Sequence, residues 1–304
     1  MKHFYSHGKL LLTGEYVVLD GAKALALPTQ KGQHMQVVSS ERSGINWTSK
    51  LHDGSTWFSH HFELDQLRTK NWRSDQKVVE TLQHILETAL SISNISLTEN
   101  HGFEITSILE FPRNWGLGSS STLLNNIAQW LDINPYTLLS QTFGGSGYDI
   151  ACATAKGPIC YQRSLENVRV DPVAFDPPFK ETLFFVHLNT KQNSRESIRH
   201  YRGLQPEKSS ALIESITALT NKLLLVETLN NFEHLLFQHE TQLAKVLKLS
   251  SVKERLFPDY PGAIKSLGGW GGDFILATGD TSRHDYFKQK GFSTIIPYSE
   301  MILH

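Results

Sequence analysis

Cysteine is nearly absent. Cys152 and Cys160 are the only two in 304 residues, and they do not form a C-x-x-C pair. That excludes a disulfide scaffold and a cysteine zinc site. No apolar run approaches the roughly 20 residues that span a bilayer, and the polar start Met1–Lys9 lacks the apolar core of a signal peptide. Neither sign of charge dominates: 29 Lys+Arg against 30 Asp+Glu leave a net charge of -1, so there is no overall basic field for nucleic acid or anionic lipid. Repeats and low-complexity tracts are also missing. We expect a cytoplasmic protein, a monomer or homodimer, that binds a small molecule and neither nucleic acid nor membrane.

What is present is a globular composition, 39% hydrophobic and 10% aromatic, with length for about two domains. Pro172, Pro177 and Pro178 mark a linker-like stretch, so the expected domains are 1–175 and 176–304. In the N-terminal third, Lys9–Leu12, Tyr16–Leu19 and His34–Val38 read as strands, with Trp47, Trp57 and Phe58 as further strand positions. Val78, Val79, Leu82, Ile85, Leu86, Ala89 and Leu90 form a helical stripe. Phe103, Ile105, Ser107 and Leu109 alternate as in a strand, and Leu123–Leu131 is a second amphipathic helix. Further along, Leu183–Leu188 and Phe274–Ala277 read as strands and about 206–224 and 228–249 as helices. Strands and helices in both halves predict an α+β protein.

Three glycine clusters carry the chemistry. Gly116-Leu117-Gly118-Ser119-Ser120-Ser121 lies between a strand and an apolar-periodic helix. A helix start leaves N–H groups unpaired and carries partial positive charge. Glycines let a phosphate approach the backbone, and serine hydroxyls add hydrogen bonds or a Mg²⁺ ligand. The segment is not a Walker A loop, because Ser119 stands where the lysine belongs, and it lacks the third glycine of a dinucleotide fingerprint. On spacing alone it reads equally as an ordinary strand-to-helix turn with serine N-caps. In the second cluster, Gly145-Ser146-Gly147-Tyr148-Asp149, the acid could accept or orient a substrate hydroxyl proton, or simply cap the next helix. The third, Gly268-Gly269-Trp270-Gly271-Gly272, could wrap amides around an anion or form a helix C-cap and hairpin turn, with Asp273 as a turn residue.

Taken together, the clusters and Gly8-Lys9-Leu10-Leu11-Leu12-Thr13-Gly14-Glu15-Tyr16 resemble, in order and approximate spacing, the three motifs of the GHMP kinase superfamily. The wording is most like the mevalonate kinase and phosphomevalonate kinase group. The resemblance implies a two-domain α+β fold, an N-terminal domain with a left-handed βαβ unit and a ferredoxin-like C-terminal domain. It implies ATP- and Mg²⁺-dependent phosphoryl transfer to mevalonate or phosphomevalonate, in isoprenoid precursor synthesis. It also implies roles: Asp149 and Lys9 catalytic; Gly116, Leu117, Gly118, Ser119, Ser120 and Ser121 on ATP; Ser120 on Mg²⁺; Glu15, Gly147, Gly269 and Gly271 at the substrate end, Glu15 with a structural alternative.

The sequence departs from the mevalonate kinase pattern in three places. Residues 137–142 contain no acid where a Mg²⁺-binding glutamate is usual, Trp270 replaces a small residue and would narrow the substrate end, and Tyr16 replaces a frequent histidine. A kinase for a sugar or amino alcohol, or a non-catalytic metabolite-binding relative, are the alternatives. The 14 histidines show no zincin spacing and no serine has the nucleophile-elbow setting. Lys191, Arg195 and Arg199 could hold a substrate anion or form a solvated helix face.

Overall fold

Apolar spacing and glycine breaks fix most of the elements. The computed structural model describes residues 1–69, 74–95, 98, 102–164, 167–204 and 209–304. It comprises two compact units, each assembled from separated stretches: Met1–Gly8, Lys31–Arg113 and Gly118–Thr154 in the first, and Lys9–Gln30, Asn114–Leu117 and Ala155–His304 in the second. Two strands pass through both, β1 (Lys2–Leu11) and β2 (Ala24–Ser40).

The first unit orders its strands β4 (Thr56–Phe62), β3 (Gly44–Lys50), β5 (Gly102–Leu109) and β2. β3 and β5 run parallel, so the chain between them must cross over. The Lys77–Ile92 helix is part of that connection. Its Val79, Leu82, Ile85, Leu86 and Ala89 are buried as the spacing predicts, beside Trp47, Phe62, Ile105 and the Leu124, Ile127 and Ala128 stripe of the Ser119–Leu131 helix. Val78 departs from its expected place on the buried stripe and is 40% exposed.

In the second unit the Ala24–Ala26 end of β2 pairs with β6 (Ile159–Arg163), which pairs with β7 (Val168–Pro172). A separate antiparallel sheet has the order β11 (Ile295–Pro297), β8 (Leu183–His187), β10 (Phe274–Thr278), β9 (Ile264–Ser266). Helices span Ser194–Leu204, Ser210–Leu223 and Leu229–Leu247. Residues 206–208 of the expected 206–224 helix lie outside the described residues. Tyr16–Leu19 is not a strand. Tyr16 takes a φ of 64°, which breaks extended backbone, and Val17–Asp20 coils into a 3₁₀ turn with Val18 N–H donating to Gly14 O at 2.9 Å. Among the described residues no helix is long and apolar enough to cross a membrane.

Candidate functional site

In the first unit, the Ser119–Leu131 helix starts behind Gly118, whose φ of 87° is left-handed and which offers no side-chain cap. The helix is pinned through a buried polar chain: Asn125 Nδ2 donates to Ser6 Oγ (2.9 Å), Ser6 Oγ to Asn126 Oδ1 (2.7 Å), and Asn126 Nδ2 to Gln33 O (2.9 Å). Thr122 Oγ1 donates to Gln33 Oε1 (2.6 Å). Its amide-bearing end, through Ser119 and Ser120, lines a cavity of about 290 Å³. Ser121, by contrast, is buried at 7% exposure.

The cavity walls are apolar and aromatic: Trp47, Trp57, Phe58, Val78, Leu82 and Phe143 among them. The exposed edge of the Lys77–Ile92 stripe, Val78, thus faces this hollow rather than the core. The Arg113 guanidinium lies 3.5 Å over the Trp57 ring. Inside, Trp47 Nε1 donates to Ser49 Oγ (2.9 Å), and Ser49 and Ser107 share a hydrogen bond (2.9 Å). Sequence reasoning gave Ser107 an apolar strand position and so missed this polar lining. A flat heteroaromatic group with hydrogen-bonding edges, joined to an anion at the helix start, suits these walls.

Also in this unit, Gly144, Gly145 and Gly147 all have positive φ and turn the chain into the Tyr148–Thr154 helix. Asp149 sits in the first turn of that helix rather than at its cap, and Ile150 and Ala151 N–H donate to Gly147 O. The acid is half-buried on a helix packed against the Ser119 helix.

The second unit brings together Lys9, Gly116, Leu117 and the third glycine cluster. Lys9 N–H donates to Leu117 O at 3.0 Å. Gly116 has a φ of 69°, and a Cβ there would stand 2.2 Å from Asp273 Cγ. Gly116→Ala is therefore expected to cost about 1–3 kcal/mol, from backbone strain and the clash. Urea unfolding checks it; a loss below about 0.5 kcal/mol would show that the carboxylate moves aside freely. The cluster forms the loop of the β9–β10 hairpin, realising the hairpin reading without a preceding helix. A Cβ at Gly271 would lie 2.8 Å from Arg255 Nη2, and one at Gly269 the same distance from Gln192 Cβ. Trp270 does not project as expected. At 5% exposure it packs with Tyr16, Tyr201, Leu219 and Leu243, because its φ of 47° turns the indole into the core. Tyr16 tilts against Tyr201 at 5.5 Å, and burial raises its hydroxyl pKa.

Glu15 is 1% exposed and forms an ion pair with the fully buried Lys265, which also pairs with Glu240 at 3.0 Å. Ser266 Oγ donates to Glu240 Oε2 (2.7 Å). Two carboxylates around one ammonium leave surplus negative charge unless one holds a proton. Burial pushes Glu15 up to about 7 against the pull of Lys265. His239, buried beside Lys265, is held neutral, well below its usual range, and its Nε2 accepts Gly14 N–H at 3.0 Å. Nothing in the sequence marked Lys265, Glu240 or His239 as partners of Glu15; they lie 224 to 250 residues from it along the chain.

Among solved structures, the chain is similar to the mevalonate kinase of Methanococcus jannaschii (16% identity, TM-score 0.66, covering 95% of this chain and 94% of that one). It is similar to Streptococcus pneumoniae phosphomevalonate kinase in complex with phosphomevalonate and AMPPNP (16%, 0.67, 95% and 96%). Lactococcus lactis galactokinase complexed with galactose is a third (13%, 0.67, 95% and 88%). No protein-family model matches the chain, and no curated protein matches it by sequence. The α+β fold expected from the motifs, that of the GHMP kinases, is the fold of this chain.

Proposed function

We propose that this protein is an ATP-dependent small-molecule kinase of the GHMP type. The observation that carries the reading is the glycine-led start of the Ser119 helix opening onto an aromatic-walled cavity of about 290 Å³. The purine takes the cavity between Trp57 and the Lys77–Ile92 helix. The phosphates take the helix start, where partial positive charge and the Ser119 and Ser120 hydroxyls meet them. Gly116, Leu117, Gly118 and Ser121 shape that turn.

Mg²⁺ needs few protein ligands, commonly one or two carboxylates beside the phosphates. Ser120 and Asp149 are the donors of this chain that fit, and no cage of three or more His, Cys, Asp or Glu occurs among the described residues. Bound there, the ion supplies charge neutralisation on the phosphate oxygens. Asp149 takes or aligns the acceptor's proton, and the Lys9 ammonium offsets charge on the transferring group. Gly147, Gly269 and Gly271 serve the acceptor end. Glu15 acts there indirectly, by holding the motif-one turn through Lys265. The acceptor is mevalonate or phosphomevalonate, on the motif wording, and such an enzyme works in the cytoplasm.

Calorimetry with a non-hydrolysable ATP analogue and Mg²⁺, followed by ADP release over a panel of mevalonate, phosphomevalonate, galactose and amino alcohols, tests this. Saturable binding and turnover of one acceptor are expected. Nucleotide binding without ADP release across the panel would favour a non-catalytic relative. Absence of nucleotide binding would end the proposal.

A further inference from the structure

The β9–β10 hairpin delivers a carboxyl group that sequence reasoning left as a turn residue. Asp273 is 7% exposed and has a φ of 54°, a conformation Asp tolerates better than most side chains. Both its backbone groups are tied: its N–H donates to Thr190 O (2.6 Å), and its O accepts Leu188 N–H (2.8 Å). The side-chain direction is therefore fixed by the hairpin. Oδ1 accepts Gln192 N–H at 3.2 Å. Both oxygens lie 2.5 Å from the place a Cβ on Gly116 would occupy. The next residue of that turn, Leu117, holds the Lys9 backbone.

A carboxylate out of water is costly unless compensated. Burial raises the Asp273 pKa above its ordinary value; the Gln192 N–H and the neighbouring Lys9 and Lys191 oppose the rise. An acid set against a turn meant for phosphate would repel that anion, so its use lies with a neighbouring cation. We propose that Asp273 is a positioning residue, which orients the Lys9 ammonium at the Gly116 turn. Its consequence for turnover rests on the kinase reading above, whereas the pairing with Lys9 stands apart from it.

Two measurements test the inference separately. Brief acetylation followed by mass spectrometry reads the reactivity of Lys9 relative to Lys31 and Lys245 in the folded protein. In Asp273→Asn, which keeps an oxygen for Gln192, Lys9 labelling is expected to change at least about threefold while the reference lysines do not. Gly116→Ala, which pushes the carboxylate aside from the opposite side, should change it in the same sense, and serves if the Asn variant does not fold. Unchanged Lys9 labelling in the folded variants overturns the proposal, whatever the protein phosphorylates.

The second is a double-mutant cycle on turnover. Asp273→Asn is expected to lower kcat about tenfold or more with the KM for ATP within about threefold. Combined with Lys9→Met it should add nothing to the loss from Lys9→Met alone. Additive losses overturn positioning through Lys9. Failure of the wild-type protein to phosphorylate any acceptor would sink the kinase reading and leave the labelling result to decide the pairing.

Discussion

Lys265→Met should lower the unfolding free energy by about 3–5 kcal/mol, the usual cost of removing one partner from a buried ion pair. The ammonium is completely buried between Glu15 and Glu240 and also donates to Ser266 O. Burial alone would drive a lysine to lose its proton. Here the two carboxylates overcome that penalty and raise its pKa. Methionine matches the stem but leaves two carboxyl groups facing each other in a dry core. Glu15→Gln is the informative control. Because Glu15 titrates near 7, glutamine imitates its protonated form, and the Lys265–Glu240 pair survives. Its cost should stay below about 1.5 kcal/mol. Urea unfolding of the two variants checks this; equal losses would mean that the charges matter less than the packing. The cluster joins the Gly14–Tyr16 turn, the Leu229–Leu247 helix and β9, so Lys265→Met should loosen the motif-one turn as well.

The second large effect concerns Asp149. Its replacement by asparagine is expected to reduce kcat by about 10²–10⁴-fold, the range a positioned proton acceptor contributes, with affinity for the ATP analogue within about threefold. The expectation separates chemistry from binding. The carboxyl group sits in the first turn of its own helix, whereas the cavity and the Ser119 helix start belong to other segments. Stopped-flow ADP release together with calorimetry measures both quantities. Near-normal turnover would remove Asp149 from the reaction. A matching loss of nucleotide affinity would mean that holding the metal, rather than taking the acceptor's proton, is the whole of its role.

Much of this was legible before the structure. The stripe from Val79 to Ala89, the alternation at Ile105–Leu109 and the apolar strand Leu183–His187 declared their elements, because burial of a regular face imposes a fixed period on the residues that supply it. The glycine–serine turn before an apolar helix declared a glycine-led helix start, which the structure forms behind Gly118 with its left-handed φ of 87°. Local reading failed where a backbone angle decides the outcome. Tyr16 and Trp270 carry large apolar side chains that suggest a strand and a protruding wall, yet positive φ turns one chain segment into a 3₁₀ turn and the other ring into the core.

By itself, then, the sequence determined the α+β class, most element positions and the chemical kind of turn that precedes the Ser119 helix, all consequences of spacing over a few residues. Only the tertiary structure decided which distant groups meet: that Lys265 neutralises Glu15 from 250 residues away, that Asp273 presses on Gly116, and that Val78 faces a cavity with Trp57. It also drew both units from separated stretches of chain. Pairings of this kind depend on how strands and helices pack across the fold, and no local periodicity encodes them.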